Sequence, residues 1–492
     1  MIPSVRCFRL GAVLLPLLAI MAPASAQGDA LERSFQAAWG RQDCPAIVQL
    51  AETRLAAREP LGSRAIDLPL METGLFCVAS SDDVDRTGRF ALATTGMDNA
   101  SDGAWRARLW VEAEHGESNA GVATVGFLSR MRPAVLNAAP TYWLTDLDDR
   151  LKEAGLIDDR LAFLTALTGG RYAPADLFVN ADTFRLRQAR LLVARGDAEG
   201  ARRLVAALRT PLLLIDASAD PALRALLPDG FDLRAAVEAD LARALEDGRA
   251  RPRHIAPLYE AAQDLRWLGR FAESLATLRR AEQMQGGIAS AADAEDNLNW
   301  WRNAMAETYH YLDRYDDMVA AYRLAIAAGE RGVANVSQTI NLAGAQTDMG
   351  RYQDALDTLA SLDVNLLSPY GQFAARRIHG CAAFALGQTA TSQADLAYLL
   401  DHRADMALNA TMIARLFLCQ GDLDAAAAEY IRLLDDPDTR ADALTSLADT
   451  DPPPPHLQAT REWQAQRQLI ARPDVQAALA RAGGVPRIPL IL

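Results

Sequence analysis

Lysine is almost missing from this chain: Lys152 is the only one, and nearly all of the 50 basic side chains are arginine. An excess of positive charge is missing too, with a formal net charge of −13. Phosphate backbones require a basic surface, so a nucleic-acid role is disfavoured. The six histidines are scattered and form no HExxH pair, which argues against a zinc site. No Walker loop, GxGxxG turn or GxSxG elbow occurs. Lys152 has no serine three residues before it, so a Ser-Lys nucleophile lacks its motif. His115 lies near Glu112 and Glu114, a grouping read as a solvated helix end rather than a catalytic cluster. Beyond the N-terminal run no stretch is apolar enough to cross a bilayer, and the terminal IPLIL is far too short. Catalytic residues, metal ligands and cofactors are therefore not expected.

What is present is helix-forming material. Hydrophobic residues make up 50% of the 492 positions, alanine and leucine dominate, and β-branched runs are few. Residues 1–26 read as a secretory signal: Arg6 and Arg9, then an apolar run from Leu10 to Met21, then Ala24-Ser25-Ala26. Cleavage is expected after Ala26, leaving Gln27 first; an uncleaved anchor is the competing reading. Cys7 precedes the apolar run, so no cysteine follows it at a lipoprotein position. A periplasmic or secreted location is expected. Four cysteines follow the signal: Cys44, Cys77, Cys381 and Cys419. An even number in an oxidising compartment suggests two disulfides. Three connectivities are possible; two early and two late positions favour Cys44–Cys77 and Cys381–Cys419, with buried free thiols as the alternative.

The strongest signal is a repeat. Six turn residues, Gly196, Gly269, Asp313, Gly350, Gly387 and Gly421, are each preceded by a small residue seven positions earlier. Those residues are Ala189, Ala262, Ala306, Ala343, Gly380 and Ala414. Five positions after each turn come Ala201, Ser274, Met318, Ala355, Ser392 and Ala426, again small except Met318. Two helices joined by so short a turn must approach closely, and small side chains at their crossing permit it. Such self-similarity marks a solenoid.

The segments YLDRYDDMVAAYRLAIA, DMGRYQDALDTLASL and CQGDLDAAAAEYIRLL resemble the second half of the tetratricopeptide repeat, a helix-turn-helix module of roughly 34 residues. The resemblance is specific between about 255 and 437 and looser at 182–209. It implies an all-α fold, an α/α superhelix of helix-turn-helix repeats. The organisation expected is a signal over 1–26, an irregular helical region over 27–180 that is either degenerate repeats or a separate helical domain, transitional repeats over 181–250 and tetratricopeptide-like repeats over 251–440. A proline break at Pro452–Pro455 and capping helices fill 441–492. Breaks are expected near 96–103 and 216–221, both rich in turn formers.

The resemblance also implies where a partner docks: a concave groove built by the first helix of each pair. Positions 13, 10, 6, 3 and 2 before a turn share one helical face. Around Gly269 this gives Tyr259, Gln263, Arg266 and Trp267. Around Asp313 it gives Trp300, Asn303, Glu307, His310 and Tyr311, and later repeats add Arg377 and Arg415. Aromatic rings, arginine and asparagine together suit peptide recognition. Trp301 is expected to pack inside. The function implied is a non-catalytic exported scaffold that binds protein or peptide partners. The alternatives are a cell-envelope enzyme with its site in the first half, or a self-assembling array. Glu117-Ser118 resembles the catalytic pair of exported lytic transglycosylases, but the Gly-rich helix that should follow is absent.

Overall fold

All six repeated turns place their turn residue in the left-handed region: φ is 80° at Gly196, 74° at Gly269, 57° at Asp313, 72° at Gly350, 77° at Gly387 and 76° at Gly421. Each ends its helix in the same way. The residue after the turn reaches back five positions with its backbone N–H: Arg270 to Leu265 at 2.8 Å, Arg351 to Gln346 at 2.8 Å, Asp422 to Phe417 at 3.0 Å. This is the Schellman arrangement, which satisfies carbonyls left open at a helix end. Asp197 and Asp422 then cap the next helix, accepting from Gly200 N at 2.8 Å and Ala425 N at 2.9 Å.

The small residues sit where the helices cross. All of the residues seven before the turns and five after them are buried. Two serines add a bond there: Ser274 Oγ donates to Ala262 O at 2.9 Å and Ser392 Oγ to Gly380 O at 2.8 Å. A β-carbon on Gly380 would lie 3.1 Å from Leu416 Cδ1 and 3.3 Å from Asp395 Cβ. Met318, the one large residue at these positions, is also fully buried.

The computed structural model describes residues 30–81, 83–116, 118–174, 176–284, 286–329, 335–363, 366–405 and 410–492. The expected signal at 1–26 and Glu117 lie outside them. The chain divides into two compact units, Met1–Leu191 and Leu192–Leu492. The first carries α1 (Ala30–Gly40), α2 (Cys44–Leu55), α3 (Asp67–Ala79), α4 (Val84–Thr95), α5 (Asp102–Glu114), α6 (Ser118–Met131), α7 (Pro133–Asn137), α8 (Thr141–Glu153), α9 (Ile157–Thr168) and most of α10 (Ala181–Ala194). Neighbouring helices from α1 to α6 pack in sequence, and α5 and α6 also meet α8 and α9. Their shared core includes Phe35, Leu70, Phe90, Leu109, Trp143 and Phe163. Cys44 and Cys77 are bonded, joining α2 to α3. Beside them, buried Arg54 holds buried Asp67 through two bonds of 2.7 Å and ties the loop carbonyls of Glu59 and Pro60, each at 2.8 Å.

The second unit carries α11 (Ala198–Ala206), α12 (Pro211–Ala219), α13 (Pro221–Arg224), α14 (Leu233–Ala250), α15 (Ala256–Trp267), α16 (Phe271–Glu282), α17 (Ala294–Tyr311), α18 (Tyr315–Ala327), α19 (Val336–Asp348) and α20 (Tyr352–Ala360). It continues with α21 (Pro369–Ala385), α22 (Thr389–Asp401), α23 (Met412–Gln420), α24 (Leu423–Asp435), α25 (Arg440–Ser446), α26 (Pro455–Gln458), α27 (Arg461–Ile470) and α28 (Pro473–Arg481). The expected all-α solenoid of helix-turn-helix repeats is the fold. Strand among the described residues is confined to β1 (Asp449–Thr450) and β2 (Arg487–Ile488), paired in parallel.

One feature of this unit differs from the sequence reading, and a second had no sequence signal. The break expected at 216–221 is a single residue, Asp220: α12 runs through to Ala219 because Leu214, Ile215, Ala217 and Ala219 are all buried. Burial here outweighs the local preference for a turn. The second is that the two ends of the unit meet. α12, near the start of the unit, packs on α25 and β2, near its end. Ala219 shares a core with Leu444 and Leu447, and Arg224 Nη2 donates to Gly483 O at 2.7 Å. The contacts of the second unit thus close into a circuit.

The C-terminal tail does two things. α28 covers α24 as a cap, its Val475, Ala478 and Leu479 joining the core of Tyr430 and Leu433. α27 packs on α23 and α24 as well, through Ala465 and Leu469, and the stretch leading into it runs along the concave side. α25 ends at Ser446 and β1 follows; Pro452–Pro454 then keep the chain out of helix until α26, and His456 and Thr460 share a cleft with Asp313 and Gly350.

Candidate functional site

The concave side of the second unit carries an open cavity of about 790 Å³. Its walls come from α15, α17, α19, α21 and α23, and its floor from the tail. Eight of the eleven groove residues expected from the sequence line it: Gln263, Arg266, Trp267 and Glu307, with His310, Tyr311, Arg377 and Arg415. In the first two repeats these stand at positions 2, 3 and 6 before the turn. Tyr259, Trp300 and Asn303, at positions 10 and 13, lie nearer the helix starts and do not line it.

Several of the expected groove side chains are occupied within the protein. Arg266 is 3% exposed. It donates to Ala304 O at 3.2 Å, to Glu307 Oε2 at 2.7 Å and to Gln263 Oε1. Asn303, 2% exposed, donates to Glu307 Oε1 at 2.8 Å and accepts from Asn341 at 2.9 Å. These candidate anchors join α15, α17 and α19 to one another. Buried polar groups must find partners, and the neighbouring repeat is the nearest source. Tyr259 is buried, and burial pushes its hydroxyl well above the usual range. Tyr311 stacks on Phe271 with ring centroids 4.8 Å apart, and burial raises its hydroxyl to about 12. Trp301 is fully buried, and Trp300 is half-buried.

The tail brings charge that sequence spacing did not place here. Arg415 Nε donates to Glu462 Oε1 at 2.5 Å, and Arg377 Nη1 stands 3.6 Å from Glu462 Oε2. Burial alone would raise the Glu462 carboxyl, but Arg415 and Arg377 hold it below the usual carboxylate range. Asp348, the last residue of α19, faces the same space and is exposed to it. Burial within the protein, with the Glu462 charge, pushes its carboxyl up to about 6 against the pull of Arg377 and Arg415. The Cys381–Cys419 bond joins α21 to α23 one helical turn from both arginines, and Cys419 Sγ lies 3.6 Å from Glu462 Oε2.

Two more tail contacts fix the floor. His456 Nε2 meets His310 O at 2.9 Å. The His310 ring is enclosed, and burial with the neighbouring His456 lowers its pKa to about 4. At the chain's end Ile491 N donates to Trp267 O at 2.9 Å, and Arg234 holds Asp451 and Pro489 O at 3.0 Å each. The proline break was the one sequence signal of this return path; its landing point had none.

In the first unit, burial raises the carboxyls of Glu114 and Asp146 and lowers His115. His115 ends α5, is 38% exposed and stands 3.9 Å from Glu114. No group of three or more metal-binding side chains occurs among the described residues, and no helix there is long and apolar enough to cross a membrane.

No protein family matches the chain's sequence, and no curated protein does. Among solved structures, the anaphase-promoting complex hetero-tetramer Cut9–Hcn1 is similar over 95% of this chain and 98% of that one, at 11% identity and a TM-score of 0.30. Naa15/Naa10 bound to HypK-THB is similar over 92% of this chain and 72% of that one, at 15% identity and a TM-score of 0.23. Likeness this loose carries no functional argument; the repeat fold stands on the turns and crossings above.

Proposed function

We propose that the chain is an exported, non-catalytic scaffold whose second unit binds a protein or peptide partner from its concave side. The observation that carries this reading is the open cavity where Trp267 and Tyr311 stand beside arginines and carboxylates. Rings supply contact area with little conformational entropy to lose, and fixed charges orient what enters. Export is supported by the N-terminal pattern and by two bonded cysteine pairs. The periplasm of a Gram-negative cell is the compartment this reading assigns.

The closed circuit narrows the kind of partner. A groove floored by its own tail has room for a short segment or a chain end, not for a long helix lying along the array. The test is site-specific photo-crosslinking: a benzophenone amino acid at Tyr311, ultraviolet light in envelope extract, and mass spectrometry of the adducts. A discrete adduct at Tyr311, absent with the probe at exposed Arg202, supports the reading. The same adducts from both positions, or none from a folded Tyr311 variant, would sink it.

A further inference from the structure

The charges lining the cavity are unequally matched. Arg415 has a short, direct bond to Glu462. Arg377 has one ion pair among the described residues, at 3.6 Å, beyond hydrogen-bond reach. The Asp348 side chain makes no hydrogen bond or ion pair with any described residue, yet it shares the cavity with both arginines and with Glu462. Arg377 and Asp348 therefore stand in one cavity, each within reach of the other's charge and neither with a close partner; Arg467, also on the lining, has no ion pair among the described residues either.

We propose that this cavity binds a small zwitterion, an amino acid or a short peptide with free ends, whose carboxylate pairs with Arg377 and whose ammonium pairs with Asp348. The inference rests on the concave-side binding reading and names the chemistry recognised there. Charge balance favours it. At the Glu462 end of the cavity Arg377 and Arg415 stand against Glu462 and Asp348, and a zwitterion adds no net charge to that group. A dicarboxylate would have to displace Glu462 from Arg415, and a simple amine would leave Arg377 unmatched.

Position adds to the argument. Asp348 closes α19 at its C-terminal end, where the helix dipole favours a positive group. Arg377 is held in place from below. It lies four residues before Cys381, as Arg415 does before Cys419, so the disulfide fixes the two helices one turn beneath the two guanidinium groups. Glu462 is fixed in its turn by α27, which is anchored through buried Ala465 and Leu469. A pre-set array of this kind loses little entropy on binding. Trp267, Tyr311 and Trp463 are among the other residues that line the cavity.

Isothermal titration of the full chain tests this with four probes: alanine, trialanine, N-acetyl-trialanine and trialanine amide. Binding is expected from at least one free-ended probe, and blocking either end should weaken trialanine at least tenfold. Whether alanine or trialanine binds better assigns the natural source. In Asp348→Asn the loss on acetylation should vanish; in Arg377→Gln the loss on amidation should vanish. Circular dichroism and melting of both variants confirm that they fold. Equal binding of blocked and free probes, or no binding of either free-ended probe at millimolar concentration, overturns the proposal. A Tyr311 adduct found together with that negative result would leave the scaffold reading standing.

Discussion

Arg415 and Glu462 are 47 residues apart and meet at 2.5 Å, joining a repeat helix to the tail that floors its groove. Neither residue has a local reason to find the other. Their contact exists because the proline break redirects the chain and because the helical circuit gives it a concave side to cross.

Replacing Glu462 by Gln should leave Arg415 without its charge partner and Arg377 with none. A loss of about 1–3 kcal/mol is expected, the lower end applying because Arg415 is 43% exposed and water screens it. Urea unfolding measures the loss. Hydrogen exchange should quicken in 455–470 before the repeats respond. The apparent pKa of Asp348, raised in part by Glu462, should fall.

Asp264 offers a pH test. It is 1% exposed, and its Oδ2 has no hydrogen-bond partner. Burial and neighbouring Glu260 push its carboxyl up to about 8, against the pull of Arg243 and Arg266. The folded state therefore holds a proton that the unfolded state releases near pH 4, and this site destabilises the fold progressively as pH rises from about 4 to 8. Asp264→Asn should be more stable than the parent at pH 8 by about 1–3 kcal/mol and should flatten that slope. Melting temperatures from pH 5 to 8 decide it; parallel curves for the two proteins would refute it.

Asp313 is the one repeat turn without glycine, although its φ of 57° is left-handed like the other five. Asp313→Gly should gain up to about 1 kcal/mol, and Gly350→Ala should lose a similar amount. Denaturant midpoints report both.

Gly380 tests the crossing rule. Its added β-carbon would press on Leu416 and Asp395. Gly380→Val should cost about 1–3 kcal/mol, the usual range for overpacking, while Gly344→Ala, with its nearest contact at 3.5 Å, should cost less than half of that.

The Cys381–Cys419 bond closes a loop of 38 residues, for which chain entropy suggests about 3–4 kcal/mol. The double serine variant should lose that stability. Mass spectrometry of the unreduced parent should find both bridged pairs, and free thiols at 381 and 419 would contradict the structure.

The sequence alone determined the helical pairs. A turn needs a residue tolerant of positive φ, and a close crossing needs a small one, so Gly269 with Ala262 and Gly387 with Gly380 announce the repeat without knowledge of anything distant. These are local demands, met within about twenty residues. Their spacing also put Gln263, Glu307 and Arg415 on one helical face. Only the tertiary structure decided what that face does. The pairing of Arg266 with Glu307, the meeting of α12 with α25, and the seating of Glu462 beside Arg377 join residues far apart in the chain. Such contacts depend on the small rotation added at each repeat, and no single repeat encodes the sum. Periodicity says which side of a helix is buried, but curvature accumulated over many helices says what lies opposite it.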